Sequence, residues 1–302
     1  MAAPMLESVS VGQFAALLPR IEAIDAAAST ADGYSSLGDA ARRDLAHPHT
    51  RAFGLLADDA AYGHAWPAPN APDGGRFEMA VTVAPGARAA GTRAVILREL
   101  VDRVGREGGS HLIWWMPGAD AASDADARSV GLAPVRDLLR METALPHPEP
   151  VPHPSGIALR PFIPGTDDFG WLTLNNEAFS DHPEQGGWTP EMLVARCTES
   201  WFDPELFIVA EASGVIVGAN WLRRHPGGEA EIFVIAVRRS HRGLGLGRTL
   251  ALAGLAAAAR TGSTRASLYC AAGNTSARRL YSELGFRVTR IDRAYETALP
   301  NR

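Results

Sequence analysis

Three glycines alternate with two leucines in the segment R-G-L-G-L-G, which runs from Arg242 to Gly247. The segment follows a predicted buried strand and opens a predicted helix. Glycine lets the main chain turn tightly and approach a ligand closely, and a helix start presents unpaired amides and the positive end of its dipole to an anion. Arg242 adds a guanidinium that suits phosphate oxygens. These residue types predict a site for a phosphate-bearing cofactor.

Two familiar nucleotide-binding loops do not fit this spacing. A dinucleotide-binding fingerprint requires G-x-G-x-x-G, whereas the glycines here strictly alternate. A P-loop requires a lysine before Ser or Thr, and all 29 basic residues of this chain are arginine. An ordinary tight turn between a strand and a helix is the remaining alternative to a phosphate-binding loop.

A second segment, N-T-S-A-R-R-L-Y-S-E-L-G-F, runs from Asn274 to Phe286. Together with R-x-x-G-x-G after a strand, it resembles the paired signature of the GNAT superfamily of CoA-dependent N-acetyltransferases. The resemblance implies acetyl-CoA as the donor, with loop amides on its pyrophosphate and the preceding strand along its pantetheine arm. The residues that it assigns to acetyl-CoA binding are Ile235, Ala236, Val237, Arg242, Gly243, Leu244, Gly245, Leu246, Gly247, Arg248, Asn274 and Arg279.

The same resemblance gives Tyr281 a catalytic role, as the acid that protonates the departing CoA thiolate. A phenol suits this task because its hydroxyl is a protonated donor at neutral pH. The alternative is a half-buried helix tyrosine that packs on the sheet.

The elements that must position these residues alternate between strands and helices. Hydrophobic patterning predicts strands at 206–210, 216–221, 231–237 and 266–270. Helices are predicted at 248–260 and 276–284, each followed by a glycine. This order predicts an α/β fold, and the resemblance implies two tandem GNAT domains, each a mixed, mostly antiparallel sheet flanked by helices.

The two halves of the chain resemble each other across a proline-rich segment. An offset of 154 residues pairs Gly131 with Gly285 and Arg88 with Arg242, and E-T-A-L recurs at the same offset. So long a period indicates duplication of one domain rather than a solenoid. Alternating prolines favour an extended spacer. The predicted organisation is an amino-terminal repeat at 1–147, a linker at 148–156 and a catalytic repeat at 157–302.

Several further segments are specific in sequence without a general physical meaning. They are A-D-G-Y-S-S-L-G-D at 31–39, H-P-E-Q-G-G-W at 182–188, W-F-D-P at 201–204 and W-L-R-R-H-P at 221–226. Together they resemble the mycothiol synthase family of tandem-repeat GNAT enzymes over essentially the whole chain. The resemblance implies acetylation of the cysteinyl amine of desacetylmycothiol, a cysteine–glucosamine–inositol conjugate, to give mycothiol and CoA.

This resemblance makes Glu231 the catalytic base. An ammonium group must lose a proton before it attacks, and a carboxylate accepts that proton directly or through water. The alternatives are an edge-strand charge for Glu231, a solvated side chain for Glu184 and a weak surface ion pair for Arg223. The residues implied to contact the amine substrate are Asp39, Glu184, Arg223, Glu231 and Tyr269.

The chain also departs from the mycothiol synthase pattern. Arg223 stands where the family has lysine, and Cys270–Gly273 replaces an acidic, polar run. These departures favour a different small-molecule amine as the alternative acceptor. A non-catalytic acyl-CoA-sensing module is another alternative, and Glu231 and Tyr281 argue against it.

The amino-terminal repeat is expected to lack catalysis because the positions of both proton-transfer groups have changed. Tyr281 corresponds to Ala127 and Glu231 to Phe77, while Arg93 replaces the third loop glycine. The repeat either binds acetyl-CoA weakly or only supports its partner. Weak binding would involve the residues that align with the strand and loop of the second repeat: Val81, Val83, Arg88 and Gly91.

Composition narrows the functional class. A net charge of −5 argues against a nucleic-acid partner, and no apolar span is long enough for a membrane. Cys197 and Cys270 cannot build a disulfide framework, which favours a reducing cytoplasm. His182 and His225 each neighbour a proline without an evident third ligand, so no metal is expected. We expect a cytoplasmic monomer whose partner is a small-molecule amine.

Overall fold

Strands and helices alternate along residues 5–68, 75–180 and 186–299, the part of the chain that a computed structural model describes. They form two units that are not contiguous in sequence. Unit 1 comprises Met1–Leu139, Ala271–Gly273 and Arg290–Arg302, and unit 2 comprises Arg140–Cys270 and Asn274–Thr289.

Unit 1 is a sheet covered by helices on both faces. One face packs against the third and fourth helices around Trp114 and Tyr295, and the other packs against the first two helices around Phe14 and Tyr62. Its elements, in chain order, are β1 (Leu6–Ser10), α1 (Phe14–Asp32), α2 (Asp39–Ala46), β2 (Phe53–Ala57), β3 (Ala61–Pro67), β4 (Arg76–Val83), α3 (Thr92–Arg106), β5 (His111–Met116), α4 (Ala121–Ser129) and β6 (Ala133–Ala144), of which residues 140–144 belong to unit 2.

Unit 2 repeats this order with a core rich in aromatic rings. Phe207 stacks on Trp221 with ring centroids 4.4 Å apart, and Trp171 meets Trp221 edge-on at 5.6 Å. Its elements are β7 (Ala158–Pro161), α5 (Asp168–Ala178), α6 (Pro190–Cys197), β8 (Phe207–Ala212), β9 (Val215–His225), β10 (Glu229–Val237), α7 (Leu246–Arg260), β11 (Arg265–Ala271), α8 (Thr275–Glu283) and β12 (Arg287–Ala298), of which residues 290–298 belong to unit 1.

Strand pairing follows one scheme in both units. In unit 1, β1 to β4 pair antiparallel in succession and β4 pairs parallel with β5. In unit 2, β7 to β10 pair antiparallel in succession and β10 pairs parallel with β11. The predicted fold, two repeats of a mixed and mostly antiparallel sheet flanked by helices, is confirmed.

The last strand of each repeat belongs partly to the other unit. β6 and β12 are related by the sequence offset of 154, yet Arg293–Ala298 of β12 pairs antiparallel with β5 in unit 1. In unit 2, Arg140 of β6 binds Glu229 of β10 at 2.7 Å. The units are therefore assembled from segments on both sides of residues 148–156, where we place the boundary between the repeats in sequence.

The six elements of unit 2 for which the sequence predicts bounds agree with the structure within two residues, except for β9. β9 was expected to end at Trp221 but continues to His225, which pairs with Glu229. The last residues of β9 are polar, so hydrophobic patterning does not detect this part of the strand.

A close helix–strand approach fixes α7 on the sheet. A Cβ on Gly254 would collide with the buried Asn220 amide and lie 2.7 Å from Leu222 Cδ1. Asn220 Nδ2 donates to the Leu250 carbonyl at 2.9 Å and has little room to move. Gly254→Ala is expected to cost about 1–3 kcal/mol of unfolding free energy, measured by urea denaturation.

Gly105→Ala is the matched control, because an added Cβ on this α3 glycine would have no described atom within 4 Å apart from its chain neighbours and the backbone of its own helix. It should leave stability unchanged or raise it by at most about 1 kcal/mol. Equal urea midpoints for the two variants would contradict the packing role of Gly254.

Candidate active site

β10 and β11 separate part-way along their length. Their parallel pairing runs from Glu229 opposite Arg265 to Ile232 opposite Leu268, although β10 continues to Val237 and β11 to Ala271. The pairing of β10 with β9 shifts by one residue between Ile232 and Val234. Such a bulge bends its strand. The part of β10 from the bulge to Val237 thus lies beyond its pairing with β11.

The glycine loop leads from this edge into α7. Gly243 and Gly245 have φ of +78° and +81°, a conformation that residues with a side chain rarely adopt. The first hydrogen bond of α7 runs from the Thr249 amide to the Gly245 carbonyl at 3.1 Å. The amides of Leu246, Gly247 and Arg248 precede this ladder and are the groups that an anion at a helix start uses. The segment that was predicted to bind phosphate is thus a glycine loop at a helix start.

Arg242 is tied to the strand that precedes it. Its Nε donates to the Val237 carbonyl at 3.1 Å while the side chain remains exposed. The guanidinium is thereby held beside the loop, with its terminal nitrogens directed to solvent or ligand.

α8 closes the other side of the loop. The Asn274 side chain caps this helix by accepting from the Ala277 amide at 3.1 Å. A Cβ on Gly247 would touch Leu280 Cδ2 at 3.7 Å and Val237 Cγ2 at 3.9 Å. The loop, the end of β10 and α8 therefore meet at Gly247, as the sequence signature requires.

Tyr281 lies one residue beyond Leu280 and is buried, with 6% of its surface exposed. Its ring meets Phe286 edge-on at 5.7 Å. Burial, with a smaller contribution from the nearby Cys270 thiol, raises the pKa of the Tyr281 phenol well above its ordinary value. The hydroxyl therefore stays protonated at neutral pH and can act as a donor.

Glu231 lies on β10 where this strand approaches its bulge. Its Oε2 accepts from His225 Nε2 of β9 at 2.6 Å, and the two side chains are 16% and 30% exposed. The sequence prediction missed this contact because it ended the strand at Trp221, four residues before His225. Arg223 and His225 are two residues apart and therefore share a face of β9, but only the register of β9 with β10 shows that Glu231 lies on the same face.

A neighbouring carboxylate on the same strand is fully engaged. Glu229 accepts from Arg140, Arg265 and Ser267 at 2.7, 3.0 and 2.6 Å. Burial alone would raise the pKa of Glu229, but these three donors together hold it below its ordinary value. Glu229 is therefore a structural anion, whereas among the described residues Glu231 has a side-chain donor, His225, on Oε2.

Two predicted substrate contacts lie on the strands beside Glu231. Arg223 is opposite Glu231 in the β9–β10 register, and its guanidinium carbon lies 5.2 Å from the Trp201 ring centroid. Tyr269 on β11 is 38% exposed, just past the point where β11 leaves β10. Residue type and spacing do not predict this contact between Trp201 and Arg223.

Two predicted cofactor-binding arginines carry carboxylate partners. Arg248 makes a bidentate contact with Glu149 of the proline-rich segment, at 3.0 and 2.5 Å. Arg279 donates to Glu283 at 2.9 Å and is 83% exposed. Both remain accessible to a phosphate that replaces or joins the carboxylate.

Unit 1 has the same loop geometry with different side chains. Gly91 caps α3 with φ of +71°, and Arg88 Nε donates to the Val83 carbonyl at 3.2 Å, as Arg242 does to Val237. Arg88 is also held by both oxygens of Asp32 at 2.7 Å.

The sequence singles out four further residues in unit 1: Arg93, Val81, Val83 and Asp39. Arg93 binds Asp126 at 2.7 Å. Val81 and Val83 are buried, and β4 pairs with β3 without a register shift. Asp39 is exposed in the first turn of α2.

The remaining sequence predictions concern two residues near position 183, a metal site and membrane-spanning helices. Glu184 and His182 lie outside the described residues. Within the described part of the chain, no three His, Cys, Asp or Glu side chains are grouped closely enough to hold a metal ion. None of the helices described there has the length and apolarity to cross a bilayer.

Comparison with known proteins agrees with this geometry. The Acetyltransferase (GNAT) family model matches residues 171–286, from within α5 to the residue before β12. A mycothiol acetyltransferase from Thermomonospora curvata is 38% identical over 287 residues, which cover 94% of this chain and 95% of that protein. The chain belongs to the mycothiol acetyltransferase family. As a member of the GNAT family it is an acyltransferase, and GNAT acetyltransferases use acetyl-CoA as donor.

Two solved structures share the fold of this mycothiol acetyltransferase family member. A GCN5-related N-acetyltransferase from Sphaerobacter thermophilus superposes with a TM-score of 0.75 at 23% identity, covering 98% of this chain and 97% of that one. A tandem GNAT protein from the clavulanic acid biosynthesis pathway gives 0.73 at 16% identity, covering 97% and 98%. The tandem arrangement is therefore a known form of the GNAT fold.

Proposed function

We propose that unit 2 transfers the acetyl group of acetyl-CoA to the cysteinyl amine of desacetylmycothiol, giving mycothiol and CoA. One observation supports this reaction most directly. Strand β10 has a half-buried carboxylate near its start, and the chain after β10 continues into a glycine loop at a helix start. From Glu231 to Val237 the strand spans about 20 Å, at ~3.3 Å per residue. A thioester arm along this edge has its phosphates at the loop and its acyl end near Glu231. The acceptor is inferred from the mycothiol acetyltransferases that the chain matches.

The residues that hold the donor fit its groups. The amides that open α7 and the Arg242 guanidinium suit the pyrophosphate, and Arg248 and Arg279 add positive charge nearby. Main-chain groups of Ile235, Ala236 and Val237, on the part of β10 beyond its pairing with β11, are the proposed contacts to the amide-bearing arm. Asn274 fixes the start of α8 beside it.

The proposed reaction moves protons at both the attacking nitrogen and the departing sulfur. Acetyl-CoA supplies an electrophilic thioester carbon. Glu231 accepts a proton from the ammonium group, directly or through water, and the freed nitrogen lone pair forms the C–N bond. Tyr281 donates its proton to the sulfur as the C–S bond breaks. The nitrogen loses a second proton as the amide forms, which restores the phenol of Tyr281, and the proton held by Glu231 is released to solvent.

The substrate contacts proposed from the resemblance remain Asp39, Glu184, Arg223, Glu231 and Tyr269. Arg223 and Tyr269 offer donors to a ligand rich in hydroxyls, and Trp201 keeps the Arg223 guanidinium in place. For unit 1 we propose a non-catalytic role, because Ala127 is a buried alanine in α4 and Phe77 a core residue of β4. Val81, Val83, Arg88 and Gly91 are its proposed contacts to a weakly bound acetyl-CoA.

A panel of acceptors tests the function. The protein is incubated with acetyl-CoA and desacetylmycothiol, the same conjugate without its cysteine, free cysteine, or spermidine. Acetylated products are quantified by mass spectrometry, and hydroxylamine treatment removes any S-acetyl product. We expect N-acetylation of desacetylmycothiol with kcat/KM at least about 100-fold above the other amines, since a site built for hydrogen bonds discriminates strongly against ligands that lack them.

A different small-molecule amine is the second candidate. The feature that favours it is the segment after Tyr269, where buried Cys270 and two alanines replace polar residues of the family pattern. Preferential acetylation of another amine would support this candidate and overturn desacetylmycothiol as the acceptor. CoA binding without transfer to any amine would instead indicate an acyl-CoA sensor.

A further inference from the structure

We propose that His225 is a positioning residue for Glu231: its Nε2–H fixes one carboxylate oxygen, so that the other faces the proton of the acceptor amine. The inference rests on the proposed function, because it concerns the base in that reaction. His225 itself touches neither substrate nor donor in this proposal.

The sheet places the two side chains on one face. β9 and β10 are antiparallel, with His225 opposite Glu229 and Glu231 opposite Arg223. His225 and Glu231 are therefore diagonal neighbours, a spacing that long side chains bridge. The contact joins His225 Nε2 to Glu231 Oε2 at 2.6 Å.

The hydrogen bond between His225 and Glu231 fixes the orientation of both side chains more firmly than an ion pair on the surface would. Glu231 is 16% exposed and His225 30%, so that water competes only partly for the hydrogen bond. His225 precedes Pro226, and a residue before proline is restricted to extended conformations. The backbone of His225 is thus held in β9, which limits the directions that its ring can take.

Comparison with Glu229 separates the two carboxylates of β10. Arg140 and Ser267 donate to Glu229 Oε1, and Arg265 donates to its Oε2. Glu229 therefore has both oxygens engaged and serves the structure. Among the described residues, the side-chain hydrogen bond recorded for Glu231 is the one from His225 to Oε2, which leaves Oε1 to accept a proton.

The test compares His225→Leu, which removes the donor, with His225→Gln, whose side-chain amide can donate from a similar position. With the preferred amine and acetyl-CoA, His225→Leu should lower kcat by roughly 100-fold, the effect of misplacing a reacting group. Its KM for acetyl-CoA should stay within about twofold, because the donor site lies further along β10. His225→Gln should recover most of the lost kcat.

A double-mutant cycle shows whether His225 acts through Glu231. In a Glu231→Gln background, His225→Leu should change the residual rate by less than about twofold. A full additional loss in that background would overturn the proposal. So would a His225→Leu enzyme with wild-type kcat, or a joint loss of kcat and acetyl-CoA binding that His225→Gln does not restore.

The outcomes separate this inference from the proposed function. A wild-type protein that acetylates no amine overturns the function and the inference with it. A wild-type protein that acetylates its amine normally, beside a fully active His225→Leu variant, overturns the inference alone.

Discussion

Glu231→Gln is expected to lower kcat/KM for the acceptor amine by about 10²–10⁴-fold, the usual contribution of a general base. Glutamine keeps the size of the side chain and can still accept the His225 hydrogen bond, but it cannot take the proton of an ammonium group. The KM for acetyl-CoA should not change, because the proposed donor site lies at the opposite end of β10 and the start of α7. Steady-state kinetics with each substrate varied in turn measures both effects.

Glu199→Gln is the control for loss of a carboxylate in the same unit. Glu199 is 44% exposed and pairs with Arg196 at 3.4 Å, a surface contact of small energetic value. It should retain full activity. A Glu231→Gln enzyme as active as this control would show that the amine loses its proton by another route.

Tyr281→Phe is expected to lower kcat by about 10–100-fold while CoA binds with unchanged affinity. The loss should be smaller than for Glu231, because a thiolate is a good leaving group and needs less help from an acid. Phenylalanine preserves the edge-on contact with Phe286, so that the fold of α8 is kept. Isothermal titration with CoA and steady-state kcat measurements separate binding from catalysis.

The raised pKa of Tyr281 predicts the sign of a pH effect. Because burial disfavours the phenolate, the hydroxyl loses its proton only above its ordinary pKa of 10.0. Deprotonation of Tyr281 should therefore not lower the wild-type kcat between pH 7 and 9.5. Any fall of kcat in this range should also be seen in Tyr281→Phe. Tyr34→Phe in unit 1 is the matched control. An unchanged kcat in Tyr281→Phe would show that Tyr281 is not the acid.

Local features of the site could be predicted because they depend on neighbouring residues. The glycines of the loop, the start of α7 and the Asn274 cap follow from residue type and spacing within a few positions. The same holds for the matching loop in unit 1, since the repeat offset carries Gly245 onto Gly91.

Features that depend on tertiary packing could not be predicted. The His225–Glu231 contact requires the register of a hairpin whose last residues are polar, and the Arg248–Glu149 pair joins residues 99 apart in sequence. The offset predicts that β6 and β12 are equivalent strands. It does not predict that the end of β12 pairs with β5. Two equivalent strands can each pair with either of two equivalent sheet edges, and long-range packing decides which edge each strand joins.

Hydrogen–deuterium exchange with and without CoA tests most directly whether the start of α7 holds the pyrophosphate. Amides that precede the intrahelical ladder exchange rapidly when free and are protected when they bind an anion. We predict that peptides covering residues 242–250 gain protection on CoA binding, together with the adjoining end of β10. Protection elsewhere in the chain with none at 242–250 would contradict the account.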